Sequence, residues 1–153
     1  MPINLEEKSQ LIQQTHPNYS NFETIRDIAS GHKHHIFENE KNYYHDLSKS
    51  WFGLTCKKGG WDCMRHYEII AAGTVLLFRD YEEKPKLCSP QNLPTISYSS
   101  KRELKKIMKS LVKKNKPTQE YLDLLNAQRE WLHKTGTTTA RAKYVLEIIE
   151  QHT

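Results

Sequence analysis

The chain has 153 residues, of which 37% are apolar and 27% charged, with a formal net charge of +5 and a pI near 9.0. These values are typical of one globular domain, and they argue against a disordered chain or two ordinary domains. No stretch approaches the ~20 apolar residues of a membrane helix, and residues 1–14 lack the apolar core of a signal peptide.

The hydrophobic pattern of the first third of the chain predicts short helices and one strand. A helix is expected over residues 5–14 and is followed by a break at His16-Pro17. The capping box at residues 20–23 opens a second helix, which Gly31 closes. A short strand is expected at 34–37 and a further helix at 43–50.

The middle of the chain predicts a strand, a helix and a second strand in direct succession. The apolar run 51–56 is typical of a buried strand, and residues 57–61 form a loop. Asp62 is the expected N-cap of a helix over 63–72, which ends at Gly73. Residues 74–78 are apolar and β-branched, so they predict another buried strand. Residues 79–94 look irregular, and 95–98 form a third short strand.

The last third of the chain is predicted to be helical. A capping box at 100–103 precedes a helix whose apolar residues recur at helical spacing, and Pro117 breaks this helix. Further helices are expected over 118–134 and 139–151. The whole chain, 1–153, is read as a single α/β domain with a small Rossmann-like parallel sheet flanked by helices, in which residues 117–153 form a helical C-terminal extension.

Ligands of such sheets bind beyond the carboxyl ends of the strands, where the loop 57–62 is expected to lie. Gly59 and Gly60 would let the backbone approach a ligand closely and take positive φ, and the first amides of the next helix attract anions. Arg65 and His66 could add charge-assisted hydrogen bonds to a diphosphate. The alternative is that the two glycines form an ordinary turn.

The remaining candidates near this loop each have a second interpretation. Lys57 and Lys58 could hold the anion or be exposed loop lysines. Glu68 could form a surface ion pair with Arg65, three positions earlier. Trp61 is more simply a lid on the core than a stacking platform. Cys63, at a helix N-terminus, would have a lowered thiol pKa, but no nucleophile arrangement surrounds it and it is interpreted as packed.

The three cysteines, at positions 56, 63 and 88, form no CxxC pair and predict neither a disulfide framework nor a zinc site. Reduced thiols and a cytoplasmic location are therefore expected. The H-x-H-H cluster at 32–35 is not predicted to bind a metal, because adjacent strand residues point to opposite faces and no further ligand follows at a suitable offset.

Two segments carry a family resemblance: H-H-I-F-E-N-E-K-N-Y-Y-H-D-L and W-F-G-L-T-C-K-K-G-G-W-D-C-M-R-H-Y-E-I-I-A-A-G-T-V-L-L-F. Over residues 34–115 the chain resembles the nucleotide-sugar-binding half of GT-B glycosyltransferases, especially exostosin-like or uncharacterised members from microbes and viruses. That family has two facing Rossmann-like domains, of which the C-terminal one holds the nucleoside diphosphate and the N-terminal one the acceptor and often a catalytic base.

The resemblance implies that Gly59, Gly60, Lys58, Arg65 and His66 lie at the diphosphate of a nucleotide-sugar substrate. It also implies that Glu68 binds the ribose hydroxyls, as the second of two glutamates eight positions apart, the first position being occupied by glycine in this chain. The resemblance implies no cofactor and no bound metal, because the helix dipole and basic side chains do the work that a metal would otherwise do at the diphosphate. Only the donor half is expected here, with no second domain before residue 34, and no catalytic residue is assigned.

Two other functions stay open. The chain could be a non-catalytic remnant or a subunit of a split glycosyltransferase that binds an acceptor-domain protein or itself, using the apolar faces of the last two helices. It could also bind nucleic acid through residues 101–116, where eight Lys or Arg accompany one acidic residue. Nucleic acid is the least favoured partner, because no basic motif with interleaved aromatic residues is present and a solvated helix face explains the charges.

Overall fold

A parallel four-stranded sheet forms the centre of the protein, in the order β1-β2-β3-β4. The computed structural model describes residues 3–13, 37–57 and 59–152. Helices flank the sheet, which confirms the predicted α/β class and its small Rossmann-like architecture. The elements are β1 (Gln10–Ile12), α1 (Glu40–Lys49), β2 (Ser50–Cys56), α2 (Met64–Ala71), β3 (Val75–Arg79), β4 (Ile96–Tyr98), α3 (Lys101–Leu111), β5 (Val112–Lys113), β6 (Lys116–Pro117), α4 (Gln119–Trp131) and α5 (Thr138–Gln151).

The two faces of the sheet bury separate apolar clusters, because alternate strand residues point to opposite faces. On one face, Leu54 and Leu77 pack with Leu104 of α3 and Tyr121 of α4. On the other face, the cluster includes residues of α1, α2 and β3, and also Trp131 at the end of α4. Gly53 lies on this second face, where a Cβ would come within 2.3 Å of Ile69. The glycine therefore allows α2 to approach β2 closely.

Two buried glutamine side chains hydrogen-bond backbone groups of β2 and β3 at positions where the short outer strands provide no partner. The Gln13 side chain accepts a hydrogen bond from the Leu54 amide and donates one to the Leu54 carbonyl, each at 3.0 Å. Gln128 of α4 bonds the amide and carbonyl of Leu76 in the same way, each at 2.9 Å. These side chains satisfy backbone groups that would otherwise be buried without partners, so β1 and β4 can each be three residues long.

The predicted helix over residues 5–14 is wrong. The segment contains a 3₁₀ turn over Leu5–Glu7, which Asn4 caps, and then strand β1. Gln10 pairs with Ser50 and Ile12 with Phe52, so the segment joins the sheet as its first strand. A three-residue strand is too short to show a two-residue period, and its tertiary pairing overrides the local pattern.

The other described elements lie close to their predicted positions, with two additions. The short antiparallel pair β5–β6, which the sequence did not predict, separates α3 from α4. Helix α4 continues into a π-helical turn over Leu132–Gly136 before α5 begins. The box before α3 is present, since Ser100 accepts a bond from the Glu103 amide and Glu103 accepts one from the Ser99 amide. The helix expected at residues 20–31 and most of the strand expected at 34–37 lie outside the described residues.

A buried lysine closes the amino edge of the sheet, where β2 and β3 begin. The Lys8 ammonium donates to the carbonyls of Ser50 and Gly73 at 2.6 and 2.8 Å, and to the Thr74 hydroxyl at 3.1 Å. The side chain is 4% exposed. Desolvation by burial lowers the pKa of Lys8 to about 8. Lys8 thereby connects the N-terminal segment to the starts of two strands.

Within the described residues, no helix combines the length and apolar character needed to span a bilayer.

Candidate functional site

The loop predicted to bind the ligand leaves the sheet at the carboxyl end of β2 and enters α2. Strands β2 and β3 are parallel, and Cys56 at the end of β2 is aligned with Arg79 at the end of β3. The loop therefore lies at the edge of the sheet where α/β folds bind their ligands.

Open space surrounds the two glycines of this loop. A Cβ added to Gly59 or Gly60 would meet no described atom within 4 Å. Among the described glycines only Gly73 has a positive φ, of 74°, so neither loop glycine uses the conformation that the sequence analysis expected of it. Gly59 and Gly60 therefore leave the loop backbone accessible, but they do not form a turn that requires positive φ. The neighbouring Lys58 lies outside the described residues.

The predicted N-cap of α2 is wrong. Cys63 occupies the N-cap position, and its side chain makes no capping hydrogen bond. Asp62 instead accepts a 2.8 Å bond from the Tyr67 hydroxyl and lies 3.8 Å from the Arg141 guanidinium. The carboxylate is therefore engaged with α2 and α5, because those two partners offer it charge-assisted contacts.

The expectations for Cys63 are also wrong. The residue is exposed and not packed. Desolvation raises the pKa of its thiol, and the nearby amides of Arg65 and His66 offset that rise only in part. The thiol is therefore held protonated, in contrast to the reactive thiolate that a helix N-terminus can stabilise.

His66 lies beneath the loop, between the first turn of α2 and the end of β3. Its ring is 1% exposed and its centroid lies 4.8 Å from that of Phe78. Neither ring nitrogen has a hydrogen-bond partner among the described residues. Desolvation lowers the pKa of His66 to about 4, although the carboxylate of Asp62 opposes this effect. The imidazole is therefore neutral at pH 7, and its two nitrogens are buried in this conformation.

A second buried polar group lies on the same face of the sheet. The Thr55 hydroxyl, in a fully buried residue near the end of β2, has no hydrogen-bond partner among the described residues. Thr55 is the register partner of Phe78, the residue that His66 contacts. Two orphaned polar side chains thus flank Phe78 at the carboxyl edge. Such groups usually have a partner in a native protein, so each one calls for an explanation.

Glu68 faces helix α1. It accepts a 2.8 Å hydrogen bond from the Tyr43 hydroxyl and a longer one, at 3.5 Å, from Tyr44. Desolvation first, and then this bond to Glu68, raise the pKa of Tyr43, while the charge of Arg65 opposes the rise. Through these hydrogen bonds Glu68 acts as a brace, that is, it links helix α2 to helix α1. Its Oε1 accepts only the long bond from Tyr44 and can accept a further hydrogen bond.

Basic side chains surround the loop at the carboxyl edge. Lys57 is exposed and its ammonium lies 5.3 Å from the centre of the Trp61 ring. Arg65 is half-buried on the first turn of α2. Arg79 ends β3 and is paired with Asp80 at 3.0 Å. Trp61 itself packs 6.0 Å from Phe78, as the lid on the core that the sequence favoured.

A linked set of contacts joins this edge to α5. Arg141 donates a 2.6 Å hydrogen bond to the Tyr67 hydroxyl, which in turn donates to Asp62. The Tyr67 ring stacks on Trp131 with centroids 5.6 Å apart. Desolvation and the bond to Asp62 raise the pKa of Tyr67 to about 12. The N-terminal turn of α5 is thereby fixed to the residue that precedes α2.

Thr55 and Arg79 were not predicted as candidates from the sequence, although a signal for both was present. Each lies at the carboxyl end of a strand that borders the loop, which is where side chains reach ligands in this architecture. The burial of His66 could also have been predicted, because His66, Ile69 and Ile70 follow the i, i+3, i+4 spacing of a buried helix face.

No protein-family model, curated protein or solved structure matches the chain. The resemblance to GT-B donor domains therefore stays a hypothesis based on the residues. Within residues 3–13, 37–57 and 59–152, no group of three or more His, Cys, Asp or Glu side chains is arranged to hold a metal ion. The histidine cluster at 32–35 lies outside those ranges.

Proposed function

We propose that this domain binds a nucleoside diphosphate, carried by a nucleotide-sugar donor, at the carboxyl edge of its sheet. The observation that supports the proposal most is the pair of buried side chains, Thr55 and His66, that have no hydrogen-bond partner among the described residues. Leaving such groups unpaired costs about 1–3 kcal/mol each. A ligand that displaces the side chains covering Thr55 and His66 and supplies partners to them would recover this energy on binding.

The loop and the basic side chains around it supply the rest of the proposed site. The open backbone at Gly59 and Gly60 lets a phosphate approach closely. The first amides of α2 carry a partial positive charge, and Lys57 and Arg79 lie at the same edge. Asp62 is the opposing charge, and its contacts with Tyr67 and Arg141 hold it toward α5.

In the glycosyltransferase-like function, this domain would hold the donor and stabilise the departing nucleoside diphosphate. Stabilising the charge that develops on that leaving group is the main electrostatic demand of the reaction. An acceptor-binding partner would supply the other half of the cleft. The proposal also places the protein in the cytoplasm, a reducing setting that suits its three free cysteines.

Calorimetric titration with uridine diphosphate and common nucleotide sugars tests this function. We expect saturable heat with at least one of them and affinity about tenfold weaker for His66→Phe, which removes the ring nitrogens. The control Lys105→Ala changes an exposed lysine of α3 and should leave the affinity unchanged. Absence of heat with every compound, or equal weakening by both variants, would contradict the proposal.

A matched pair of variants separates the two roles of Glu68. Tyr43→Phe removes the hydroxyl that donates to Glu68 and leaves the carboxylate in place. If Glu68 binds the ribose, Glu68→Gln weakens nucleotide binding and Tyr43→Phe does not. If Glu68 is only a brace, both variants lower stability to a similar extent and leave affinity unchanged. The affinities and urea unfolding curves of the two variants decide between these outcomes.

A further inference from the structure

Helix α3 and the β5–β6 hairpin that follows it expose a dense group of cations. Residues 101–116 contain eight Lys or Arg and one acidic residue, Glu103. That acid is engaged at the start of α3, where it accepts a hydrogen bond from the Ser99 amide. Lys101 is half-buried, and the other basic residues are exposed. These exposed cations, here called the basic surface, are Arg102, Lys105, Lys106, Lys109, Lys113, Lys114 and Lys116.

The cations of α3 lie opposite the side of the helix that packs in the core. Successive helix residues are rotated by about 100°, so residues four and seven positions apart share one side. The buried side chains of the helix are Leu104, Met108 and Leu111. Arg102, Lys106 and Lys109 have the same spacing two positions earlier, a rotation of about 200°. They therefore form one stripe that points to solvent.

Several of these cations occupy positions that disfavour the folded state. Arg102 lies in the first turn of α3, where the positive end of the helix dipole repels a cation. Lys113 is paired with Lys116 across the hairpin, and like charges at opposite strand positions repel each other. Lys114 has a φ of 49°, in the left-handed region that is uncommon for a residue with a long side chain. Native sequences accept such local costs at functional sites.

No carboxylate neutralises the basic surface within the described part of the chain. None of its cations forms an ion pair there. A helix face that is merely solvated usually places an acid four positions from a base, as Glu130 is from Lys134. In α3, by contrast, Arg102 lies four positions before Lys106, which is a pair of like charges. The unbalanced charge therefore indicates a polyanionic partner.

The chemistry of the basic surface favours the backbone of a nucleic acid duplex over other polyanions. Residues 101–117 contain no aromatic residue, so the surface lacks the stacking platforms that bind single strands. A membrane-surface helix inserts its apolar side into lipid, whereas that side of α3 is buried in the core. A duplex carries one charge per ~1.7 Å of its axis and requires neither kind of contact.

We propose that the basic surface binds the phosphate backbone of duplex nucleic acid without reading the base sequence. Helix α3 has 11 residues and is about 16 Å long, and the hairpin extends the charge beyond its C-terminal end. With about four phosphate contacts, the logarithm of the binding constant falls with the logarithm of the salt concentration with a slope of about −3.6. Affinity then drops about a hundredfold between about 50 and 200 mM salt.

Fluorescence anisotropy of a labelled DNA duplex, titrated with the full chain at several salt concentrations, tests the proposal. We expect micromolar affinity at low salt and the slope given above. Lys106→Gln/Lys109→Gln should weaken binding at least about tenfold and make the slope less negative by about two. The matched control Lys41→Gln/Lys143→Gln removes the same charge from exposed positions on α1 and α5 and should bind as the wild type does.

The hairpin provides a test that separates binding from stability. Lys114→Gly removes a cation and places glycine where φ is positive. This variant should raise the thermal midpoint of unfolding and weaken duplex binding about fivefold. His66→Phe should bind the duplex normally, so this proposal and nucleotide binding at the carboxyl edge can fail independently. No binding to the duplex at low salt, equal weakening by both double variants, or preferential binding to anionic vesicles would overturn the proposal.

Discussion

The two edges of the parallel sheet differ in how their buried polar groups are satisfied. At the amino edge, the Lys8 ammonium has three hydrogen-bond acceptors, and the Thr74 hydroxyl also bonds the Leu47 carbonyl. At the carboxyl edge, Thr55 and His66 have no partner within the described part of the chain. The amino edge is complete in itself, whereas the carboxyl edge retains unused hydrogen-bonding capacity.

We interpret this difference as one between a structural role at the amino edge and the proposed binding role at the carboxyl edge. A buried polar cluster whose groups are all paired stabilises one conformation, and an incompletely paired cluster costs energy until something completes it. We therefore interpret Lys8 as part of the scaffold and His66 as part of the site. Variants at the two edges test that assignment.

At the amino edge, the titration of Lys8 should make the free energy of unfolding depend on pH. The folded-state pKa of Lys8, about 8, lies below the unfolded value of 10.5, so the unfolded chain binds the extra proton between these values. Stability of the wild type relative to Lys8→Met should therefore rise by about 3 kcal/mol as pH increases from 8 to 10.5. Urea unfolding at several pH values measures this, with Lys105→Met as the exposed control. Parallel pH profiles for wild type and Lys8→Met would contradict the assignment.

At the carboxyl edge, the titration of His66 should make the free energy of unfolding fall at acidic pH. Because burial lowers the pKa of His66 from 6.5 to about 4, the unfolded chain protonates first as pH falls. The wild type should lose about 3 kcal/mol relative to His66→Phe between pH 6.5 and 4. The exposed His45→Gln variant should follow the wild type. If His66→Phe also follows the wild type in urea unfolding, the ring is not desolvated as described.

Two glycines should respond differently to the same substitution. Gly73→Ala should destabilise the fold by about 1–2 kcal/mol, because φ is 74° and the new Cβ would lie 2.9 Å from Ile3. Gly60→Ala should change stability by less than about 0.5 kcal/mol, since open space surrounds that position. Thermal unfolding of both variants measures the contrast. Equal destabilisation would show that the loop is as tightly packed as the amino edge.

The smallest effect is expected where the carboxyl edge meets α5. Arg141→Met removes the bond to Tyr67 and the ion pair with Asp62, but the Arg141 side chain is half exposed. We expect a loss of about 0.5 kcal/mol in the free energy of unfolding. Chemical denaturation measures it, and Lys143→Met, without a contact to Asp62 among the described residues, provides the comparison. A loss of several kcal/mol would mean that α5 is integral to the fold.

The central strand–helix–strand unit could be predicted from the sequence because its signals are local. The apolar runs of β2 and β3 and the glycine that ends α2 each act within a few residues. Strand β1 could not be predicted in this way. Its three residues are extended because they pair with β2, some forty positions away.

The position of the candidate site in the fold could be predicted from the sequence, but the orientations and contacts of its side chains could not. The position of the loop follows from the order of the elements, since parallel strands direct their carboxyl ends to one edge. The orientations of His66 and Glu68 depend on tertiary neighbours, Phe78 on one side and Tyr43 on the other. Asp62 likewise contacts Arg141, which a local capping pattern cannot show.

A titration of the isotopically labelled protein with uridine diphosphate, followed by amide NMR, tests whether the carboxyl edge of the sheet binds a nucleotide. We expect saturable shifts concentrated in residues 55–66 and 78–81, with the amides around Lys8 and Thr74 unchanged. Unchanged spectra at millimolar ligand, or shifts confined to the basic face of α3, would contradict a binding site at the carboxyl edge.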